Sequence, residues 1–230
     1  FFSQHGFLEV DTPLLMWAST FNPHIQEFKT RWSNPPEEPQ ELLLHTSPEH
    51  HMKRLLAAGV EKTYQLVHFF RNGHGELGPQ HQPEFMGLEF YEAFRDYRDI
   101  MVTTERLVRS LAQDLGNPLR DESAFERLRV EDAFQKHAHI DLGAARTLDS
   151  LREAATRGGI VTHGADSYDD IFFRIFLEKV EAHLGSGTPT FLYDYPLSMA
   201  VMAKASASHP HLAERVELYM DGVELANGFT

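Results

Sequence analysis

The stretch that most constrains the fold runs from Tyr64 to Phe94 and has the pattern of a long antiparallel hairpin. Two apolar runs of strand composition, YQLVHFFRN and PEFMGLEFYEAF, flank the polar, Gly-rich loop GHGELGPQHQ. Because side chains alternate along a strand, one face of the second run carries Phe85, Gly87, Glu89 and Tyr91. The opposite face is apolar, so a carboxylate and a phenol share one side, as the floor of a pocket requires. A strand with a solvated polar face is the alternative, and composition alone favours it.

A second hairpin is predicted near the end of the chain, where Glu214–Tyr219 and Val223–Ala226 alternate about an Asp221-Gly222 turn signal. Glu224 and Asn227 lie on or beside its second strand. For this pattern in isolation, a hairpin with one solvated face is the alternative. Short strands are also predicted at Phe7–Val10, Leu42–His45 and Thr190–Tyr195.

Helices are predicted between these strands from the spacing of apolar residues. One helix starts at Thr46–Pro48 and ends at Gly59, and a long amphipathic helix runs from Asp96 to Gly116. Residues 117–188 are predicted to be a helical insertion, with helices at Asp132–Ala138, Leu148–Arg157 and Tyr168–Leu184.

The charge balance bears on the partners that the chain can bind. With 21 basic and 34 acidic residues, its formal net charge is −13, which argues against binding of nucleic-acid phosphates. It suits a small cationic substrate or a partner with a basic loop. The lack of cysteine excludes disulfides and thiolate metal sites and fits a cytoplasmic protein. No apolar run approaches the roughly 20 residues that cross a bilayer, so we expect no membrane partner.

Several ordered blocks resemble the class II aminoacyl-tRNA synthetases of the lysine, aspartate and asparagine subgroup. HGFLEVDTPLL resembles motif 1, and FRN followed by HQPEF and LEFY resembles motif 2. TSPEHHMKRLLAAG at 46–59 and GVELANGF at 222–229 are most similar to one branch, the elongation factor P β-lysine ligase family, which is paralogous to lysyl-tRNA synthetase. The resemblance covers Gly6 to Phe229 and is thin between Asn117 and Gly187.

The resemblance implies an α+β fold, the class II synthetase catalytic core, in which an antiparallel β-sheet of about six strands is flanked by helices. It implies a single catalytic domain over residues 1–230, forming a homodimer through the motif 1 region. The chain opens within an element, on FFSQHGF, and ends within a motif at Thr230. We therefore expect a segment that is truncated at both ends.

The resemblance also implies a site for ATP and Mg²⁺. Arg71 is the candidate catalytic residue, because its planar fork can bridge the α-phosphate and the substrate carboxylate. Negative charge builds on that phosphate as the carboxylate attacks, so a fixed cation lowers the barrier, and no general base is needed. Glu224 would hold Mg²⁺ against the phosphates. The residues implied for ATP binding are Arg71, Asn72, Glu76, His81, Gln82, Phe85, Glu224 and Leu225.

The resemblance implies that carboxylates of the site recognise the ammonium groups of the amino acid, since a buried ammonium needs a carboxylate partner. By resemblance, Glu49 receives the substrate α-ammonium, although a carboxylate at a helix end is its default role. Glu89 pairs with the side-chain ammonium of lysine or β-lysine, and Tyr91 donates nearby. The substrate-binding residues are Ser47, Pro48, Glu49, Glu89, Tyr91 and Asn227. The neighbours His50, His51 and Lys53 are predicted to be surface residues.

The sequence departs from the family pattern at three places. Gly73 stands where a glutamate that reads the adenine edge is usual, and Glu76 is the candidate replacement. Gln82 replaces an asparagine, which keeps an amide on a longer side chain. The glycine-rich motif 3 and its arginine are missing, so we expect these residues alone to be catalytically incomplete.

The leading functional hypothesis is an ATP-dependent ligase that activates lysine or β-lysine as an adenylate and transfers it to a lysine of elongation factor P. The catalytic domain of a lysyl-tRNA synthetase, with tRNA-Lys as acceptor, is the alternative from the same chemistry. A non-catalytic paralogue that binds amino acid or ATP is the alternative from another class, because the altered motif 2 loop leaves room for it.

Overall fold

The computed structural model describes residues 1–19, 25–34, 38–73, 77–78, 81–119 and 124–230. The chain divides into two compact units, Phe1–Phe94 and Arg95–Thr230. The prediction of a single catalytic domain over residues 1–230 stays a prediction. No helix among the described residues is long and apolar enough to cross a membrane.

The first unit contains two small sheets and one helix in its described part. A 3₁₀ turn at Ser3–His5 ends on Gly6, whose φ of 79° is accessible to glycine without strain. Sheet order is β1-β5-β6, with β1 parallel to β5, and β2-β4-β3, which is antiparallel. The elements are β1 (Leu8–Glu9), β2 (Leu15–Met16), β3 (Lys29–Trp32), β4 (Gln40–Leu44), α1 (Glu49–Ala57), β5 (Lys62–Phe70) and β6 (Glu84–Glu92).

The hairpin predicted between Tyr64 and Phe94 is formed by β5 and β6, which pair along their whole length. The buried face of β5 lies on the same side of the sheet as the predicted polar face of β6, because Gln65 pairs with Glu89 and Phe69 with Phe85. Position 87 on this face requires glycine, because the Phe69 ring lies across it and a Cβ there would overlap the ring. On the other face, β6 is apolar from Met86 to Phe90 as predicted: Phe2 packs on Tyr64 and Phe90, while Leu66 and Met86 are exposed.

The second unit is built on a four-stranded sheet of order β10-β9-β8-β7. Its two apolar clusters are centred on Phe134 and Phe172 in one case and on Tyr97 and Phe191 in the other. The elements are α2 (Tyr97–Asp114), β7 (Glu126–Arg129), α3 (Val130–Ala138), α4 (Leu148–Arg157), α5 (Tyr168–Ile175), β8 (Thr190–Pro196), β9 (Leu212–Met220) and β10 (Val223–Phe229).

Three helices begin with a side chain that caps their first turn, at Asp96, Thr147 and Ser167, each paired with the residue three positions on. The helices predicted within residues 117–188 are confirmed, but the last is not a continuous α-helix. After α5 the chain forms a π-helical turn at Phe176–Val180 and a 3₁₀ turn at Glu181–His183. Over so few residues, the spacing of apolar side chains in the sequence does not distinguish an α-helix from a π-helical or 3₁₀ turn.

The same region also contains β7, which the sequence did not predict. Its four residues, ERLR, show no alternation of apolar and polar side chains, and it pairs in parallel with β8, which is distant in sequence. The α+β class is confirmed, and most strand pairs are antiparallel. The described strands form three sheets, however, instead of the single sheet of about six strands that was expected, and β1 and β7 join their sheets as short parallel strands.

Candidate active site

Glu89 and Tyr91 form a hydrogen-bonded pair on the polar face of β6, as the alternation predicted. Tyr91 Oη donates to Glu89 Oε1 at 2.5 Å. Burial raises the pKa of Glu89 to about 7, and the Tyr91 hydrogen bond opposes this rise. Burial likewise raises the pKa of Tyr91. A carboxylate in such a setting is poorly stabilised as an anion until a cation reaches it.

Glu49 lies in the first turn of α1, and its negative charge contributes to the raised pKa of Glu89. Ser47 Oγ accepts a weak hydrogen bond from the Glu49 backbone N–H at 3.4 Å, and Pro48 caps the helix. The Glu49 carboxylate contacts Lys53 on the next turn, with Oε1 2.7 Å from Nζ. The side chain of Lys53, predicted to be a surface residue, is 39% exposed, and its ammonium pairs with Glu49.

Arg71 follows β5 directly and continues its buried face. The guanidinium lies over the Phe85 ring, with Cζ 5.2 Å from the centroid, and Phe85 stacks on Phe69 at 5.2 Å. Arg71 Nε is buried and meets no hydrogen-bond acceptor within the part of the chain that the structure describes. Its charge also favours ionised Glu89. A guanidinium held by ring stacking, with an unused N–H, is suited to an anionic ligand.

The remaining residues of the predicted nucleotide site in this unit contribute less. Asn72, His81 and Gln82 are exposed, and the structure gives them no side-chain contact that would orient them. The backbone N–H of Asn72 donates to Gln26 O at 2.9 Å, which links the end of β5 to the segment before β3. Glu76, the candidate replacement for the adenine-reading glutamate, lies outside the described residues.

In the second unit, β10 carries Glu224 and Asn227 on one side of the sheet because of a β-bulge. Residues three apart on a regular strand point to opposite faces. Here Glu224 pairs with Tyr219 and Asn227 with Glu217, and the register shifts between Glu224 and Ala226. Leu225 is thus the extra residue, which brings the two predicted side chains to one face.

Glu217 is the residue of this face that sequence reasoning missed. It is 5% exposed, and four side chains donate to its carboxylate. Tyr195 Oη and Tyr219 Oη lie 2.5 and 2.6 Å from Oε2, and Arg215 Nη2 and Asn227 Nδ2 lie 2.6 and 3.1 Å from Oε1. The alternation of Arg215, Glu217 and Tyr219 along one strand was the available signal.

Glu224 lies beside this cluster and is the carboxylate of the face that reaches solvent. Although its side chain is exposed, crowding by the surrounding protein desolvates it enough to raise its pKa, and the negative charge of Glu217 raises it further. No group of three or more His, Cys, Asp or Glu side chains with metal-binding geometry occurs among the described residues. Two crowded carboxylates can still attract a dication whose other ligands come from a bound phosphate.

Comparison with known proteins identifies the family of this chain. The family described as tRNA synthetases class II (D, K and N) matches residues 1–230. The elongation factor P–(R)-β-lysine ligases of Enterobacter sp. (strain 638) and of Salmonella arizonae are each 39% identical over 233 residues, which cover 100% of this chain and 68% of the relative. The resemblance predicted from the sequence is confirmed: the chain belongs to the class II tRNA synthetases of the D, K and N group, alongside the elongation factor P–(R)-β-lysine ligases.

Proposed function

We propose that this protein activates lysine or β-lysine with ATP and transfers the aminoacyl group to a lysine side chain of elongation factor P. The observation that carries the proposal is the partly buried Glu89–Tyr91 pair with Glu49 and Arg71 in electrostatic reach. This arrangement offers two carboxylates and one guanidinium, which complement two ammonium groups and one carboxylate. The names of the relatives at 39% identity support the same substrate and acceptor.

In the amino-acid pocket, Glu49 would bind the α-ammonium of lysine or the β-ammonium of β-lysine. Glu89 would bind the side-chain ammonium, with Tyr91 holding the Glu89 carboxylate in place. Burial disfavours the ionised form of Glu89, and an ammonium group of the ligand would stabilise that form by pairing with it. A neutral side chain of similar length would leave Glu89 unpaired, which explains selection for a diamino acid.

Activation would join a carboxylate oxygen of the amino acid to the α-phosphorus of ATP and break the bond to the β-phosphate, releasing pyrophosphate. Arg71 would neutralise the charge that develops on the α-phosphate and orient both reactants. Phe85 would hold the guanidinium by stacking, and Asn227 would contact the substrate carboxylate. In the second step the acceptor amine would attack the activated carbonyl and lose a proton, with AMP as leaving group.

Mg²⁺ would be held on the second unit by Glu224 together with ATP phosphates. Each Glu217 oxygen already accepts two hydrogen bonds, so Glu217 adds negative charge and positions Asn227 but has no lone pair to spare for a metal. The metal, when bound, would offset the phosphate charges during the displacement.

The remaining parts of the proposal concern assembly and location. Exposed apolar side chains in and after the motif 1 block, Leu8, Leu14, Leu15 and Trp17, support homodimer formation through this region. The acidic net charge of −13 favours a protein acceptor over tRNA-Lys. The absence of cysteine supports the cytoplasm.

The acceptor decides the function. The full-length protein should be incubated with ATP, Mg²⁺ and radiolabelled lysine or β-lysine, with either elongation factor P or tRNA-Lys added. We expect label on elongation factor P that survives hydroxylamine, because an amide resists it. Label on tRNA alone would identify a lysyl-tRNA synthetase, and binding of lysine without pyrophosphate exchange would identify the non-catalytic paralogue.

A further inference from the structure

Lys53 places an ammonium group of the protein itself in the proposed amino-acid pocket. It lies one helical turn after Glu49 on α1, and its Nζ is 2.7 Å from Glu49 Oε1. The Glu49 side chain is 13% exposed and that of Lys53 is 39% exposed, so the pair sits where the pocket meets solvent. An ordinary helix-surface pair has both partners in water, whereas here the Glu49 oxygen that faces Lys53 is buried.

The contact between Lys53 and Glu49 is close but not well directed. Glu49 Oε1 has no hydrogen bond of acceptable geometry to any described residue, although Nζ is near. A carboxylate oxygen in this state attracts a cation through charge and still has lone pairs for a better-placed donor. A second ammonium that enters along the oxygen's lone-pair direction would therefore compete well with Lys53.

Two acidic and two basic side chains interact around the pocket, Glu89, Glu49, Arg71 and Lys53. Arg71 and Lys53 both lower the pKa of Glu89, and Glu49 raises it, so these charges act on one another over a short range. A lysine-type substrate adds two ammonium groups and one carboxylate. If these meet Glu89, Glu49 and Arg71, the substrate takes the place of the Lys53 ammonium at Glu49.

We propose that Lys53 is a resident counter-ion of Glu49, which the α-ammonium of lysine, or the β-ammonium of β-lysine, displaces when it binds. The inference rests on the proposed function, because it takes Glu49 as the α-ammonium site. The flexible stem of Lys53 lets its ammonium withdraw to the solvent side of the helix while its carbon chain stays in place. Lys53 thereby lowers the affinity for any α-amino acid, so that the contact at Glu89 decides which one is retained.

The opposite role for Lys53 is a clamp that holds the Glu49 carboxylate ready for substrate. The two roles predict opposite signs when the charge is removed. Without a resident counter-ion the substrate meets an open carboxylate and binds more tightly, whereas without a clamp it meets a misplaced carboxylate and binds more weakly. Either role acts through the ammonium that Glu49 binds, so the sign of the change in lysine affinity distinguishes them.

The test uses the Lys53→Met variant of the full-length protein and equilibrium binding of radiolabelled lysine or β-lysine without ATP. We expect the Kd to fall about tenfold, because a positive charge within a few ångströms of the α-ammonium has been removed. The Kd of ε-aminocaproate, which has the side-chain ammonium and carboxylate of lysine but no α-ammonium, should change by about twofold at most. Arg54→Met is the matched control: it removes an exposed charge one residue along α1 and should leave the lysine Kd within about twofold.

Unchanged or weaker lysine binding by Lys53→Met would overturn the proposal, and so would an equal gain for lysine and ε-aminocaproate. Lys53→Arg restores the cation and should return the Kd toward the wild-type value. Lys53→Gln replaces Lys53→Met if the latter does not fold, with the same expectation. A wild-type protein that binds neither lysine nor β-lysine would overturn the proposed function itself, whereas normal wild-type binding with an unresponsive Lys53→Met would overturn this inference alone.

Discussion

Glu89 in the first unit and Glu217 in the second are both glutamates on a hairpin strand, each followed two residues later by a tyrosine that donates to it. Their surroundings differ. Glu217 receives four hydrogen bonds, which include one from Arg215, and both its oxygens are saturated. Glu89 receives one, from Tyr91, among the residues that the structure describes, and burial raises its pKa to about 7.

The difference indicates that the Glu217 carboxylate stabilises the fold, whereas the Glu89 carboxylate is suited to bind a ligand. A saturated, paired carboxylate contributes to the native state, and removing it leaves its donors unsatisfied. A partly buried carboxylate with one neutral donor is costly to ionise, and this cost is recovered only when a cation binds. The same contrast applies to two arginines: Arg71 Nε has no acceptor among the residues that the structure describes, whereas the Arg215 guanidinium bonds to Glu217 and to Met199 O.

The strongest test of this contrast is Arg71→Ala in the full-length protein. We expect lysine-dependent pyrophosphate exchange to fall about a thousandfold or more, because the cation at the α-phosphate is lost. The melting temperature should change little, since the Arg71 Nε bonds to nothing described. Arg157→Ala, at an exposed site on α4, is the control for loss of a positive charge. Near-normal exchange would remove Arg71 from the mechanism.

Glu217→Gln tests the saturated carboxylate. It should lower the free energy of unfolding by about 3 kcal/mol, because Arg215 loses its buried partner and the amide cannot accept from all four donors. Urea unfolding monitored by circular dichroism gives this value, with the exposed Glu153→Gln as control. A loss below about 1 kcal/mol would show that Glu217 does not hold the second unit together, and the contrast with Glu89 would fail.

Glu89→Gln is the corresponding change at the unsaturated carboxylate, and it should separate binding from stability. We expect the KM for lysine to rise about a hundredfold while the KM for ATP stays within about threefold, since only the ammonium partner is lost. Stability at pH 8 should be unchanged or higher. The folded-state pKa of about 7 lies above the ordinary 4.5, so ionised Glu89 opposes folding at pH above 7, and glutamine removes that cost. Equal loss of lysine and ATP affinity would contradict the pocket assignment.

The sequence was informative where the structure depends on local spacing. The alternation in β6 placed Glu89 and Tyr91 on one face, and the first-turn position of Glu49 followed from Pro48. It was uninformative where distant residues decide. The role of Glu217 depends on Tyr195 from another strand, and β7 exists because β8 supplies a parallel partner.

Two features lay between these extremes. Lys53 is four residues after Glu49, a spacing that brings side chains together on a helix, so their pairing could have been predicted from the sequence. The bulge at Leu225 could not, because no glycine or proline marks it, and it shows only in the register of β10 against β9. Without that register, Glu224 and Asn227 would have been assigned to opposite faces.

The smallest expected effect is the pH dependence of lysine binding, which sharpens the contrast without changing a residue. Glu89 is faced by Tyr91, Glu49, Lys53 and Arg71, and the balance of burial and these neighbours gives a pKa of about 7 in the empty pocket. Below that pH the carboxyl carries a proton that must leave before an ammonium can pair with it. The KM for lysine should therefore rise about tenfold from pH 8 to pH 6.

Steady-state pyrophosphate exchange between pH 6 and pH 8 measures this dependence, and the Glu89→Gln variant serves as its control. The variant has no carboxyl to titrate at this position, so its KM for lysine should vary by less than about twofold over the same range. A wild-type KM that is flat through pH 7 would mean that Glu89 is already ionised in the empty pocket. In that case a cation of the protein would already pair with the Glu89 carboxylate. Glu89 would then be a paired carboxylate like Glu217, although only Tyr91 donates a hydrogen bond to it among the described residues.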